Sequence, residues 1–482
     1  MASPTQRTLW GDLIEWSVEV DFLVAKQKTG QSYAVESGKR IRWACPANEP
    51  KPTETCVQHC AEHIAYTLGI KPYALGGVAY QEMAAPENDF DYTIEKVGRE
   101  RSGIDPRMNY WFVSPAPNAV ARSDSPSEYD WVGVRLRCPL RSLLSILPKD
   151  RYGEEDLGRG IAHSGAMAPI PPVRGKIEME SVLGLVRAGI KIHTNSTCQL
   201  RIYMNLQHDG FDLTDAKKAI TLAWLMEPEL LLPLRPYTRD PSRSHCLPIT
   251  RLSKIALTPT KFPAKGYSSL TPDQCERLLA QTRPLFPTDA ELMDTHIPEM
   301  MNSHVQERIQ MIWGASTPSE LSNLLKSPDG ETTVALNVLP DFHPTLVFRY
   351  GLWHPQRENM QYWLQLFGRL FLFAVASDSR RFQSVVGRLE KHALEVQKLE
   401  RQDRWKAMLT HSFDNVMSHY WNSKFKDAER DDGVLSPKGL DCQGVLEPVA
   451  EINYESDSDE RSSSSSSSSS DGADGGVWLK KP

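Results

Sequence analysis

Residues 194–246 read TNSTCQLRIYMNLQHDGFDLTDAKKAITLAWLMEPELLLPLRPYTRDPSRSHC, and the first part of this stretch alternates strictly between apolar and polar side chains. The apolar positions are Cys198, Leu200, Ile202, Met204 and Leu206, and the polar positions between them are Gln199, Arg201, Tyr203 and Asn205. This alternation predicts a β-strand with one face in the core and the other facing water or a functional site. Gly210 ends the pattern, and Asp212 or Thr214 can cap a helix that runs on to Glu227. The stretch therefore predicts a strand, a loop and a helix, in that order.

A second alternating segment, residues 13–24 (LIEWSVEVDFLV), places two acids on the polar face of a predicted strand. Glu19 and Asp21 are two positions apart, so their side chains point the same way and lie about 7 Å apart along the strand. Carboxylates in this arrangement are a suitable start for a divalent cation site. The alternative is an ordinary solvated face of an edge strand, and the residues of this segment alone leave both interpretations open.

Residues 130–140 and 345–351 alternate in the same way, and residues 332–338 and 345–351 are predicted to pair as two strands across a turn at Asp341–Pro344. In the first of them, Arg135 and Arg137 share the polar face. The helix predicted for residues 359–376 is apolar nearly all round, which indicates burial in the core. Strands with one apolar face, separated by apolar helices, predict an α+β fold in which these strands lie in one mainly antiparallel sheet.

Composition narrows the class of protein. The 482 residues are enough to bury a sizeable core, in one large domain or in two or three smaller ones. No run of about 20 apolar residues is present, and the first residues lack a signal-peptide pattern, so we expect neither membrane insertion nor secretion. Eight cysteines are too few for a disulfide scaffold in a chain of this length, which favours a cytoplasmic or nucleocytoplasmic location. The formal charge of -6 comes mostly from the C-terminal segment, and the rest of the chain is close to neutral. The chain therefore shows no basic pattern that would indicate nucleic-acid binding.

We divide the chain into a main domain, residues 1–430, and a tail, residues 431–482, which we expect to be disordered. The tail is acidic and contains nine consecutive serines, Ser462–Ser470. Such a composition buries too little apolar area to offset the conformational entropy of the chain. Within the main domain, we interpret three stretches near 41–55, 147–175 and 247–300 as inserts.

Cys56, Cys60 and His63 recur on one face of a predicted helix, at a spacing that zinc ligands can have. A structural zinc site normally needs four ligands, and the sequence offers no fourth ligand nearby. Cysteine on an apolar helical stripe is also typical of an ordinary core. Both interpretations predict that this helix faces the interior.

These segments resemble the fungal amidoligase family, whose members are ATP-dependent carboxylate–amine ligases related in fold to glutamine synthetase. The family pattern for residues 194–246 is C-G-L-H-V-H-V-G, a loop with G-F, a helix with Glu, then P-x-x-R and a Cys. This chain keeps Cys198, Leu200, Gly210, Phe211, Glu227, Pro236, Arg239 and Cys246. The family strand G-V-E-I-E-F matches Glu19 and Asp21, G-V-E-L-V-S-P-V-L matches Gly133, Val134, Leu136, Pro139 and Leu140, and T-I-E-F-R-Q-H matches Thr345, Phe348 and Arg349.

The resemblance implies a curved, mainly antiparallel sheet with helices on one face, as in glutamine synthetase. It implies ATP and Mg²⁺ as cofactors, and a carboxylate and an amine, from a small molecule or a peptide, as substrates. The residues that take the family's catalytic positions are Glu19, Asp21, Glu227, Arg239 and Arg349. Among them, Glu19 and Asp21 are the expected metal ligands, because a metal ion neutralises the repulsion between phosphates and carboxylates.

The chain departs from the family at five functional positions. Arg135 and Val347 stand where the family has acids, and Arg201, Tyr203 and Gly351 stand where it has histidines. Arginine keeps its positive charge and cannot ligate a cation. We therefore expect the arginines at 135, 201 and 349, rather than a metal, to hold Glu19 and Asp21.

Three hypotheses follow. The chain is an active ligase that binds ATP through Glu19, Asp21 and Arg349 with a relocated set of metal ligands. Alternatively, it has lost catalysis and acts as a binding or regulatory protein whose arginine-lined pocket takes an anionic ligand. In the third hypothesis the resemblance is accidental and these are ordinary core strands. Nucleotide binding measured with and without magnesium distinguishes the first two.

Overall fold

The computed structural model describes residues 13–31, 33, 42–68, 72–75, 91–95, 110–143, 178–206, 211–235, 246–259, 287–300, 302–339, 342–353, 359–412 and 444–447. The predicted insert at 147–175 lies outside these residues, as does the middle of the one at 247–300.

The described residues form twelve strands, and ten of them make one sheet. The strands are β1 (Ile14–Gln27), β2 (Pro72–Leu75), β3 (Asp91–Glu95), β4 (Tyr110–Pro115), β5 (Tyr129–Arg137), β6 (Arg141–Ser142), β7 (Ile192–His193), β8 (Leu200–Leu206), β9 (Cys246–Leu247), β10 (Glu331–Thr332), β11 (Val334–Leu339) and β12 (Phe342–Phe348). The sheet order is β11-β12-β8-β1-β5-β4-β3-β2, with β6 and β7 also paired to β1, and β9 and β10 form a separate parallel pair.

The helices are α1 (Pro52–Leu68), α2 (Glu178–Gly189), α3 (Leu213–Met226), α4 (Leu232–Leu234), α5 (Ile249–Leu252), α6 (Lys254–Leu257), α7 (Pro287–His296), α8 (Ser303–Trp313), α9 (Pro318–Leu325), α10 (Asn359–Ala376), α11 (Ser379–Val396) and α12 (Arg401–Ser412). A π-helical turn, Glu227–Leu231, joins α3 to α4. Asp212 caps α3 as the sequence predicts, because its side chain accepts a hydrogen bond from the backbone N–H of Asp215.

Strand β1 lies at the centre of the sheet and determines which residues meet. Its alternate side chains Trp16, Val18, Val20, Phe22 and Val24 are buried in the main core. Helices α1 and α10 pack against neighbouring strands, and α10 also packs on α3. Phe348 of β12 stacks on Phe367 of α10 with ring centroids 4.1 Å apart. Burial of these apolar faces is the dominant stabilising term of the fold.

The prediction of a mixed helix-and-strand fold built on an antiparallel sheet is confirmed. Every pairing within the ten-stranded sheet is antiparallel. The four alternating segments identified in the sequence are consecutive in the sheet, in the order β12, β8, β1 and β5. The polar faces of these strands therefore meet on the side of the sheet opposite the core.

Residues 444–447 pack against the main body, although they lie within the range 431–482 assigned to a disordered tail. The backbone N–H of Leu446 donates to the carbonyl oxygen of Ile192 at 2.9 Å, and the Leu446 side chain is buried in the core. Arg42 and Arg187 donate to the carbonyl oxygens of Leu446 and Glu447. The assignment is therefore corrected for these four residues, and the rest of that range lies outside the described residues.

No helix in the described ranges is both long enough and apolar enough to cross a membrane.

Candidate functional site

Two adjacent rows of side chains on the polar face of the sheet form the site. In the first row, Glu19 of β1 lies opposite Arg201 of β8 on one side and Arg137 of β5 on the other. In the second row, Asp21 lies opposite Arg135 of β5. Neighbouring strands bring the side chains of opposite residues within reach of each other. The register of three strands therefore places two acids between three arginines.

Asp21 is fully buried, and both of its carboxylate oxygens accept hydrogen bonds. Arg135 Nε donates to Asp21 Oδ1 at 2.8 Å. Arg201 Nη1 lies 3.1 Å from Oδ1 and 3.0 Å from Oδ2 of the same carboxylate. These charge-assisted bonds compensate for the removal of the carboxylate from water.

Glu19 is held by the same two arginines and by a tyrosine. Arg201 Nη1 donates to Glu19 Oε1 at 2.9 Å, and Arg135 Nε lies 3.2 Å from that oxygen. Tyr203 Oη donates to the second oxygen, Oε2, at 2.9 Å. All four carboxylate oxygens of the two acids therefore face donors that belong to the protein.

The pKa shifts agree with this arrangement. Burial alone raises the pKa of Asp21, but the charges of Arg135 and Arg201 outweigh it and hold that pKa below the ordinary value. Burial lowers the pKa of Arg201, and the two acids more than reverse the effect. Burial, together with the Glu19 charge, raises the pKa of Tyr203 to about 12, so its hydroxyl remains a donor. Asp21 and Arg201 are therefore charged at neutral pH, and the Tyr203 hydroxyl keeps its proton.

Arg349 lies elsewhere than expected. The predicted pairing with Glu19 and Asp21 is confirmed for Arg135 and Arg201, but it is wrong for Arg349. Its Nε lies 3.9 Å from Glu331 Oε2, and its Nη1 donates to the carbonyl oxygen of Thr332 at 3.0 Å. Arg201 Nη2 also approaches Glu331 Oε2, at 3.6 Å.

Glu331 is a site residue that the sequence analysis missed. It belongs to the two-residue strand β10, which is too short to show any periodicity. Its pKa is held below the ordinary value, since the charges of Arg349 and Arg201 outweigh the effect of burial. Arg137, in contrast, could have been identified, because alternation already places it on the same face as Arg135.

Two of the substituted positions, 347 and 351, lie in packed parts of the structure. Val347 is fully buried opposite Tyr203. A Cβ atom on Gly351 would lie 2.6 Å from Leu200 Cδ2 and 3.0 Å from Trp363 Cδ1. Because these are core side chains, packing occupies the space that a histidine at position 351 needs.

Glu227, one of the expected catalytic residues, is fully buried in a different environment. Its Oε1 accepts hydrogen bonds from the Ile249 N–H at 3.1 Å and from Tyr350 Oη at 2.7 Å, and Thr333 Oγ1 also donates to it. Its Oε2 accepts from the N–H of Thr250 at 2.7 Å and from the hydroxyl of the same residue. In this arrangement Glu227 joins the π-helical turn to α5 and to Thr333 and Tyr350, which is a structural role. Arg239 lies outside the described residues.

Glu19 and Asp21 do not fit a magnesium ion as they stand. Magnesium binds hard oxygen ligands in an octahedral shell and usually keeps several waters. Here every carboxylate oxygen is occupied by a cationic or hydroxyl donor, and the guanidinium groups add repulsion for a cation. A metal ion would bind only after at least one arginine had moved away from the pair.

The cysteine–histidine set on α1 is also not arranged as a metal site. Cys56 and Cys60 are buried among core residues, and His63 Nε2 lies 3.0 Å from the Leu185 carbonyl oxygen. Burial raises the pKa of both thiols, so they remain protonated at neutral pH. In the described part of the chain, no group of three or more potential ligands is placed to hold a metal ion.

Comparison with known proteins adds no further evidence on the family or the function of the chain. No protein-family model matches the sequence, no curated protein matches it, and no solved structure matches the fold.

Proposed function

We propose that the chain is a catalytically inactive, amidoligase-like protein that binds an anionic ligand on the arginine-rich face of its sheet, without magnesium or ATP. The proposal includes the curved, glutamine-synthetase-like form of the sheet that the sequence resemblance implies. The observation that carries it is the double pairing of Glu19 and Asp21 with Arg135 and Arg201. The acids that are expected to bind a metal in an active ligase are already neutralised by the protein itself.

Energetics favour this proposal over an active ligase with relocated ligands. Removing one partner from a buried ion pair costs about 3–5 kcal/mol. Magnesium would have to compensate for that loss, and it would do so through only two carboxylates beside guanidinium groups that do not titrate at physiological pH. An organic anion needs no such rearrangement, because it can bind Arg137, which has no ion-pair partner among the described residues.

Isothermal titration with ATP, in the presence and absence of magnesium, tests the proposal on the full chain. We expect no magnesium-dependent binding by the wild type. The matched variant carries Arg135→Glu, Arg201→His, Tyr203→His and Val347→Glu, which restores four family residues in the same background. Micromolar, magnesium-dependent ATP binding by the wild type contradicts the proposal, and binding only by the restored variant supports it. A thermal unfolding curve shows whether the variant is folded before its binding result is used.

A further inference from the structure

Among the described residues, four arginines lie on the polar face around Glu19, and three of them are ion-paired with acids of that face. The four arginines are Arg135, Arg137, Arg201 and Arg349. Three acids, Glu19, Asp21 and Glu331, lie among them, and Glu15 lies further along the same face of β1. Each of the three acids forms its ion pairs with Arg135, Arg201 or Arg349. Arg137 makes no ion pair with any described carboxylate, so its positive charge has no direct partner among the described residues.

Arg137 is nevertheless held in a defined position. Its Cζ lies 4.0 Å from the centroid of the Tyr203 ring, a cation–π contact. Tyr203 is itself fixed by its 2.9 Å hydrogen bond to Glu19. Arg137 Nε donates to Ser17 Oγ at 3.4 Å, and that hydroxyl donates to the Cys138 carbonyl oxygen at 2.6 Å. These contacts orient the half-buried side chain before any ligand arrives.

The two terminal nitrogens of Arg137 are the part of its side chain that can still bind a ligand. They donate no hydrogen bond to any described residue, whereas Nε and the face of the guanidinium are engaged. A planar guanidinium presents its outer N–H groups as a fork that matches a carboxylate with two parallel hydrogen bonds. Because the side chain is already oriented, little conformational entropy is lost on binding.

We propose that Arg137 binds the carboxylate of a small molecule or of a peptide C-terminus, with the Tyr203 ring as its rigid support and without a metal ion. This inference rests on the proposed function and identifies the ligand class and the anchoring residue. A carboxylate carries a single negative charge, which matches the single positive charge of Arg137. A phosphate monoester carries between one and two negative charges at neutral pH and therefore overcompensates it.

Saturation-transfer NMR at constant ionic strength, observed on the ligand, tests this inference on the full chain. The probes are propionate for a free acid, N-acetylglycine for a peptide C-terminus, and N-acetylglycinamide as the neutral match of the second probe. We expect saturable transfer to one or both carboxylates and none to the amide. The carboxylate that saturates at the lower concentration identifies the source of the ligand.

Variants at Arg137 show whether binding occurs there. Arg137→Gln should weaken carboxylate binding about tenfold or more, since charge-assisted hydrogen bonds are lost. Arg137→Lys keeps the charge but loses the fork, so it should be weaker than the wild type as well. Tyr203→Phe keeps the ring and should retain most of the binding. Arg141→Lys is the matched control, because Arg141 pairs with Glu178 elsewhere on the sheet, and its binding should be unchanged.

Three outcomes overturn the inference. The first is equal saturation transfer to N-acetylglycine and to its amide. The second is carboxylate binding that Arg137→Gln does not weaken, in a variant whose thermal unfolding matches the wild type. The third is that inorganic phosphate competes for the site more strongly than propionate does. Each of them leaves the proposed function standing if the wild type still fails to bind magnesium–ATP. Magnesium–ATP binding would instead remove the proposed function, whatever the carboxylate probes show.

Discussion

Asp21 and Arg135 occupy opposite positions on neighbouring strands, and Arg135 Nε donates to Asp21 Oδ1 at 2.8 Å. The Asp21 side chain is fully buried, whereas that of Arg135 is partly exposed. Replacing Asp21 by Asn leaves Arg135 and Arg201 with Glu19 as their nearest remaining carboxylate. We expect the free energy of unfolding to fall by about 3–5 kcal/mol, because a buried ion pair is broken on one side. Urea denaturation followed by circular dichroism measures the change.

The matched control is Glu54→Gln, which breaks the exposed pair between Lys51 and Glu54. Exposed pairs are screened by water, so this change should stay within about 0.5 kcal/mol. An equal loss of unfolding free energy in the two variants would show that the buried pair stabilises the protein no more than the exposed one.

Acid should destabilise the protein partly through Asp21. The folded state holds the pKa of Asp21 below the ordinary value of 3.8, so the unfolded chain takes up a proton first as the pH falls. This contribution is fully present above the unfolded pKa and is lost as the pH falls through it towards the folded pKa. Glu331 acts with the same sign, since its pKa is also held below the ordinary value, 4.5.

Urea titrations between about pH 3 and pH 7 check this expectation. The loss of stability below about pH 4.5 should be smaller in Asp21→Asn than in the wild type, since that variant has one carboxylate fewer to protonate. Parallel curves for the two proteins would exclude Asp21 as a source of the acid sensitivity.

Glu227 should prove structural rather than catalytic. In Glu227→Gln the new NH₂ group must face donors whichever way the amide turns, because both oxygens of Glu227 accept hydrogen bonds. We expect a loss of about 3 kcal/mol in stability. Tyr350→Phe removes a single donor to the same carboxylate and should cost about 1 kcal/mol.

Carboxylate binding at Arg137 separates the structural role of Glu227 from a functional one. A folded Glu227→Gln protein should bind the probes as the wild type does. A binding defect in a protein whose thermal unfolding is unchanged would place Glu227 in the site after all.

The segment around Leu446 should contribute measurably to stability. A chain shortened to end at Cys442 loses the buried Leu446 side chain and leaves Arg42 without its acceptor at this carbonyl. A chain that ends at Pro448 keeps both. We expect the shorter chain to be less stable by about 2–4 kcal/mol, as for the loss of a buried leucine with its hydrogen bonds, and the longer one to match the full chain. Identical urea midpoints for the two shortened chains would contradict the packing of this segment.

Alternation predicts much of the site, because it fixes the direction of each side chain on a strand. The sequence alone places four site residues on one face of the sheet: Glu19, Asp21, Arg135 and Arg201. The strands that carry the two arginines, β5 and β8, are the neighbours of β1. The pairing of acids with arginines follows once those strands are neighbours. Periodicity was sufficient here since each strand is long enough to show it.

Contacts made by short or irregular segments could not be predicted in this way. Glu331 reaches Arg201 and Arg349 from a strand of two residues. Glu227 begins a π-helical turn whose wider spacing departs from the helical period used to read α3. The docking of Leu446 depends on backbone hydrogen bonds, which leave no mark on the residue pattern.

The central position of β1 has a consequence for the order of events during synthesis. Its partners β5 and β8 end at Arg137 and Leu206, so both leave the ribosome well after β1 itself. At roughly 5–20 residues per second, the wait for β8 lasts on the order of ten to forty seconds. Until β5 has emerged, this strand of fourteen residues has neither of its long neighbours, and until β8 has emerged it has only β5. We therefore expect temporary contacts, with chaperones or with α1, the first described helix after β1, to keep this strand from pairing with other chains.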